Sequence, residues 1–280
     1  MKTRKLAIWL AWANFSEYYS RKLAEALRPE YDTTVTYHPL NWDEFDVVMP
    51  FFPQRKPGCD PAKVVKFVWE PHEFGWAADA GTVCAASTSV YERIVKRYKD
   101  RAHLLPWGVD AEHFHPQPWP KSERLQVGWC GQFKNSRKQF TRLSEEMEGM
   151  SKIWDIDFIP NVSQMEGGKQ SGAYELETMH LYYRRLHVYV CASSSEGFGF
   201  PLLEACACGR PVVTFNVGVA RDLKRTGAGV VIVDDWDALK RAVRSVDWMA
   251  MGAASADAVR RHWLWPRLRA RWLEVLDGTG

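Results

Sequence analysis

The sequence predicts an α/β protein of two units, each a parallel sheet with helices on its faces. Three observations predict it. Short apolar runs of strand length alternate with segments of helical periodicity along nearly the whole chain, the pattern of βαβ units. The alternation breaks at a Pro- and His-rich stretch, His113 to Arg124, and then restarts. One apolar strand, ending near Ala192, runs directly into a Gly-containing turn and a helix opening at Pro201. The 280 residues, 46% hydrophobic and 25% charged, are enough for two buried cores. That composition excludes a disordered or fibrous chain. No apolar run approaches the ~18 residues of a membrane span, and the run Leu6–Ala13 lacks the flanks of a signal peptide.

In the first unit, residues 1–118, strands are expected at Leu6–Trp12, Thr33–Tyr37, Asp46–Phe52, Val64–Trp69, Thr82–Ala86 and Ala102–Leu105. Ser16 is placed to cap a helix in which Tyr19, Leu23, Ala26 and Leu27 recur at helical spacing until Pro29 stops it. A second helix spans roughly Val90–Tyr98. In the second unit, residues 119–254, strands are expected at Leu125–Cys130, Trp154–Ile159, Leu186–Ala192, Pro211–Phe215 and Val230–Val233. Its helices fall near Gln139–Met147, Tyr174–Arg184, Pro201–Cys208 and Trp236–Val246. A last amphipathic helix runs from about Ser255 to Leu276 within residues 255–280. Sheets of this kind hold ligands at the carboxyl ends of their strands, so two of them predict a site in the cleft they face.

The net charge of +3 is too small to demand a polyanionic partner. Basic residues nevertheless cluster at Arg93, Lys96, Arg97, Lys99 and Arg101, and again at Arg260, Arg261, Arg267, Arg269 and Arg271. These read either as solvated helix faces or as a groove for an anionic acceptor. None of the six cysteines forms a CxxC pair. Cys84, Cys130 and Cys191 sit in apolar runs as small buried hydrophobes, which fits a reduced, cytoplasmic compartment. The acidic string Val233–Asp237 precedes a helix, where Asp is a common cap, so it is read as a cap and no metal site is assigned. Tryptophan is abundant, at 14 residues.

The most informative segment is SSSEGFGFPLLEACACGRPVV, Ser193 to Val213. Gly197 and Gly199 permit a tight backbone near a ligand, and Pro201 suits the start of a helix. The backbone N–H groups and dipole of such a helix start favour a phosphate. Glu196 stands at the mouth of the turn and Glu204 one turn inside the helix. Two fixed carboxylates beside a phosphate site are placed to hold sugar hydroxyls.

This segment resembles the signature of GT-B glycosyltransferases, specifically the large retaining family 4, in which two glutamates eight residues apart bracket an EGFG turn and a Gly-x-Pro-Val-Val strand follows. Glu196 and Glu204 match the motif glutamates. The resemblance implies that Glu196 and the backbone of Gly197, Phe198, Gly199, Phe200 and Pro201 contact the donor sugar and distal phosphate. It implies that Glu204 binds the ribose. LLPWGVDAEHFHP, from Leu104, is similar to the family's interdomain stretch, and VCAASTSVYERIVKRY, from Val83, to its strand with a terminal Ser. QVGWCGQFKNSRKQF, from Gln126, resembles the start of its second domain. There Gly131 matches, Gln132 stands where Arg is usual, and Arg137 or Lys138 occupies the place of the phosphate-binding Lys. His72, in VWEPHEFGW with Glu70 and Glu73 beside it, is either structural or the family's cleft-lining His. The family's Gly-rich first loop is replaced by WANFSEYY, so Asn14, Ser16 and the aromatics there become candidates for acceptor contacts.

The resemblance thus implies a GT-B fold, two Rossmann-like domains facing a cleft with the last helix crossing back to the first. It implies a retaining transfer of sugar from a nucleotide-diphosphate sugar (UDP- or GDP-linked) to a hydroxyl, with no cofactor or metal required. Base contacts are expected near Asn161–Met165, and acceptor contacts at Trp12, Trp69, Trp76 or Trp107. The basic clusters and aromatics admit a modified base of DNA as acceptor. The alternative of another class is a non-catalytic nucleotide-sugar-binding module, which Gln132 and the missing Gly-rich loop favour and both motif glutamates oppose.

Overall fold

The computed structural model describes residues 3–10, 15–52, 54–166, 169–172, 174 and 176–279. It divides into two compact units, one of Met1–Gly108 with Trp265–Gly280, the other of Val109–Leu264. The chain passes from the first to the second between Gly108 and Val109, ahead of position 118. Residues past 108 pack within the second unit: Gln117 N–H donates to Cys208 O, and the Phe114 ring stands 6.3 Å from Tyr183.

The first unit is built from β1 (Arg4–Trp9), α1 (Phe15–Leu27), β2 (Tyr31–Thr36), β3 (Val47–Pro50), β4 (Val65–Phe67), β5 (Thr82–Ala85), α2 (Thr88–Tyr98) and β6 (Ala102–Leu104). Strands run parallel in the orders β2-β1-β3 and β4-β5-β6. A Val48–Val64 bridge links the two groups. β1, β3, β4 and β5 are mostly buried, whereas β2, at the end of its sheet, is polar and buried only at Tyr31. Ser16 does not cap α1. It lies inside the first turn and is fully buried, since the helix begins one residue earlier. Asn14 and Trp12 lie outside the described residues. The segment after β4 forms a 3-10 helix, Pro71–Ala77.

The second unit comprises β7 (Leu125–Gln132), α3 (Phe140–Ser151), β8 (Ile156–Glu166), β9 (Lys169–Gly172), α4 (Met179–Tyr183), β10 (Val188–Cys191), α5 (Phe200–Ala207), β11 (Val212–Phe215), α6 (Ala220–Arg225), β12 (Val230–Val233), α7 (Trp236–Ser245) and α8 (Trp248–His262). Its sheet has the order β12-β11-β10-β7-β8-β9, parallel except for the antiparallel β8–β9 pair. Trp129, Leu143, Met147, Val188, Val190, Val213, Leu239 and Val243 form the core beneath it. Each such side chain contributes roughly 1.5–3 kcal/mol by leaving water. Asp235 caps α7, its carboxylate accepting from Ala238 N–H at 2.7 Å, as the cap reading of the acidic string expected.

The expected last helix is two helices, α8 and α9 (Trp265–Asp277), broken at Trp263–Leu264. The break has a cause: Val109 N–H donates to Trp263 O, drawing that residue into a bridge between Val109 and Leu264. Helix α9 is part of the first unit. Trp272 is fully buried against Phe67 and Trp107 and donates to Pro106 O. Arg269 donates to Ala26 O and pairs with Glu30. Among the described residues no helix is long and apolar enough to cross a membrane.

Candidate active site

In the second sheet β7 is hydrogen-bonded to β8 on one side and β10 on the other, so the chain's direction of winding reverses between β7 and β10. Loops leaving the carboxyl ends of strands at such a reversal diverge and open a crevice, the usual ligand position in this architecture. The two segments here are Gly131–Gln139, the end of β7 with the loop that follows it, and Ala192–Gly199 after β10. They carry most of the residues singled out in the sequence.

The turn after β10 is held tightly. Gly199 has φ +86, and a Cβ there would lie 2.9 Å from Leu202 Cδ1, so glycine starts α5 in a conformation other residues avoid. Pro201 is the second residue of α5, one place later than expected. It has no N–H, and the next donor, Leu202 N–H, bonds Gly199 O at 2.9 Å. Phe198 and Phe200 are buried in edge-to-face contact, 4.9 Å between centroids. From behind, Val219 N–H donates to Phe198 O at 2.7 Å, and Gly218 lies so close that a Cβ would meet Phe198 O at 2.3 Å. The loops also bind each other, with Ser194 N–H donating to Arg137 O at 2.8 Å.

Lys138 and Glu196 meet across this crevice. Lys138 Nζ donates to Glu196 Oε1 at 2.5 Å, and Ser193 Oγ donates to the same oxygen at 2.7 Å. Burial opposes the Lys138 charge, but the Glu196 carboxylate outweighs it and raises the Lys138 pKa. Arg137, its neighbour, is exposed, and its backbone carbonyl ties down Ser194. The geometry therefore separates the two cations that sequence left equivalent. Gly131 and Gln132 end β7 at the rim, both half-buried.

Glu204 lies deeper, 2% exposed, on a helix whose other described neighbours are apolar. Tyr183 OH donates to its Oε2 at 2.7 Å. Beneath, Cys130 Sγ lies 3.8 Å from Tyr183 OH and 3.3 Å from Tyr189 OH. Burial above all raises the Cys130 thiol to about 12 and Tyr183 and Tyr189 well above their ordinary values. All three stay protonated at neutral pH. Sequence reasoning missed Ser193, Tyr183 and Tyr189. Ser193 was legible from its place in the motif. Tyr183 and Tyr189 sit in ordinary helix and strand patterns that carry no signal.

Other expected contacts resolve differently. The side chain of His72 lies outside the described residues, although its backbone belongs to the 3-10 helix Pro71–Ala77. Glu73, beside it, caps that helix: its Oε2 accepts from Trp69 N–H at 2.7 Å and Glu70 N–H at 2.9 Å. Asn161, placed among the base contacts, is 4% exposed and bonds the Tyr174 backbone; the side chains of residues 163–165 lie outside the described residues. Trp107 cannot face an acceptor because it is fully buried among Phe51, Phe67 and Trp272. Trp69 is half-buried, stacked on Phe51 and Phe67, and Trp76 is exposed. Of the C-terminal basic cluster, Arg260 and Arg261 pair with Asp257, and Arg269 with Glu30, whereas Arg93, Lys96, Arg97, Lys99 and Arg101 are exposed. A groove of about 380 Å³ lined by Pro118, Trp119, Lys121, Arg184 and Arg185 includes none of the candidate residues.

Solved structures resemble the whole chain. Sucrose-phosphate synthase from Thermosynechococcus elongatus superposes with a TM-score of 0.74 at 16% identity over 98% of both chains. The fold is GT-B. HepE of Anabaena, solved with UDP and glucose, gives 0.67 at 11% identity over 98% of this chain and 99% of that one. Residues 171–247 match the family described as glycosyl transferases group 1, a stretch that contains both motif glutamates. The lipopolysaccharide core biosynthesis mannosyltransferase LpcC of Rhizobium leguminosarum bv. viciae is 36% identical over 91 residues, which are 31% of this chain. The match spans about a quarter of that relative's length, 26%.

Proposed function

We propose that this GT-B chain is a retaining glycosyltransferase that moves a sugar from a nucleotide-diphosphate sugar to a hydroxyl acceptor. The observation that carries the reading is the Lys138–Glu196 pair at the sheet's reversal point, its Glu196 inside the segment that matches group 1 glycosyltransferases. A diphosphate entering there meets Lys138, the dipole of α5 and the Gly197–Phe200 backbone, all favourable to the charge that develops as it leaves. Glu196, released from Lys138 by the incoming phosphate, turns to the donor sugar. Glu204 holds the ribose hydroxyls. Gly131 and Gln132 flank the diphosphate at the end of β7, and Arg137 is the second cation within reach of it. His72 is assigned to the donor sugar. Transfer occurs on one face of the sugar, the leaving phosphate taking the acceptor proton, and no metal is assigned. A UDP-sugar is the first donor to try, because HepE was solved with UDP and glucose.

The acceptor is assigned to the first unit. The exposed row Arg93, Lys96, Arg97, Lys99 and Arg101 favours an anionic one, with DNA as the second reading. The decisive experiment is donor turnover across a panel of UDP- and GDP-sugars. Wild type is expected to hydrolyse one donor slowly without acceptor, and Glu196→Ala to abolish that. Failure of wild type to bind or turn over any donor defeats the enzyme. Binding without turnover in wild type favours a nucleotide-sugar-binding module. Retention on DNA that falls with salt separates DNA from a small acceptor.

A further inference from the structure

Glu204 is a deeply buried acidic group of the candidate site, and its partner is unusual. A carboxylate inside an apolar helix is expensive to bury unless it is hydrogen-bonded. Here the bond comes from Tyr183, the last residue of α4, which is itself fully buried. Tyr183 carries one hydroxyl proton, and it is donated to Glu204 Oε2 at 2.7 Å. The phenol oxygen is then left as the acceptor for the Cys130 thiol, 3.8 Å away on β7, whose sulfur also touches Tyr189 OH on β10 at 3.3 Å. Four groups from four elements thus form one buried chain: Tyr189, Cys130, Tyr183, Glu204. The carboxyl group stands at the ligand end. Apolar packing alone would not require a hydroxyl at 183, because the ring already packs against Tyr182, Tyr189 and Phe114 at 5.5, 5.8 and 6.3 Å.

We propose that Tyr183 is a positioning residue that fixes the Glu204 carboxylate for the hydroxyls of the donor ribose. The proposal rests on the assignment of Glu204 to the ribose. Tyr183 touches no substrate and acts only through Glu204. Burial keeps its phenol protonated, so the bond is present across the working pH range.

The test is the affinity of the full chain for UDP and GDP beside their 2′,3′-dideoxy forms, by titration calorimetry. Wild type is expected to bind the ribose form of one nucleotide at least tenfold tighter than its dideoxy form. Tyr183→Phe keeps the ring and should weaken the ribose form about tenfold while leaving the dideoxy form unchanged. Glu204→Ala should abolish the preference. If Glu204→Ala abolishes it and Tyr183→Phe retains all of it, the proposal is overturned and the ribose assignment stands. If Tyr183→Phe weakens both forms equally, the residue is merely structural and the proposal is overturned. If Glu204→Ala leaves the preference intact, or neither nucleotide binds, the ribose assignment fails and takes the proposal with it. Should Tyr183→Phe not fold, 3-fluorotyrosine in place of Tyr183 keeps the hydroxyl but makes it more acidic. At least a twofold change in ribose affinity alone supports the proposal, and no change overturns it.

Discussion

At the scale of single residues, the site is organised by which charge is buried with which. Lys138 and Glu196 are about four-fifths buried, and together with Ser193 they satisfy one another. Removing either strands the other in a poorly hydrated place, whereas removing both does not. A double-mutant cycle of Lys138→Met and Glu196→Gln should therefore show a coupling of about 1–3 kcal/mol in urea unfolding. Coupling near zero would mean the pair is incidental. The pH dependence has a definite sign. The folded pKa of Lys138 is raised, so the pair's contribution is complete below the ordinary lysine value of about 10.4 and disappears as pH climbs past the folded one. Arg137, one residue away, is exposed, and sequence alone had no means of telling the two apart.

At the scale of elements, the turn between β10 and α5 depends on a second loop. The segment after β11 braces it through Val219 N–H and through Gly218, whose φ of +50 and lack of a side chain allow contact with Phe198 O. Gly218→Ala should push the Phe198 carbonyl away and with it the turn. Nucleoside diphosphate affinity is expected to fall at least tenfold in calorimetry. The comparison is Asp235→Ala, which removes the cap of α7. That change should cost about 1 kcal/mol of stability in thermal or chemical unfolding and leave the affinity as it was. Equal affinities for both variants would show that Gly218 does not shape the turn. The Gly-Arg-Pro-Val-Val strand was legible as part of a motif. The bracing was not, because Gly218 lies outside the string and only folding brings it beneath Phe198.

At the scale of the molecule, three histidines have their pKa lowered by their surroundings. His103 in the first unit is lowered by burial and by the Arg271 charge, and His180 in the second by burial and by His113. His187, lowered by burial and by Arg210, accepts a hydrogen bond from Gln126 N–H at its Nδ1, 2.9 Å away. With all three depressed in the fold, the unfolded chain binds more protons below about pH 6.5, so stability falls as pH drops through that value. Urea unfolding at pH 5.5 should show a lower midpoint than at pH 7.5. His187→Asn, which retains an acceptor without titrating, should narrow the gap. Equal midpoints for wild type at the two pH values would refute this.

The sequence by itself determined the class of the fold and singled out the motif Ser193–Val213. Apolar periodicity and strand-to-helix turns are local, and a long string such as Ser193–Val213 carries its chemistry in its own spacing. It also marked the Asp cap of α7 and the burial of Cys84, Cys130 and Cys191, since burial follows the apolar run a residue sits in. Only the tertiary structure decided which cation meets Glu196, that Trp107 is sealed inside an aromatic cluster, and that the last helix breaks at Trp263. These outcomes depend on contacts between residues far apart in the chain: Lys138 with Glu196, Trp107 with Trp272, Val109 with Trp263. Periodicity reports which face of an element is buried. It cannot report what stands opposite that face, and the chemistry of this site lies in the opposite faces.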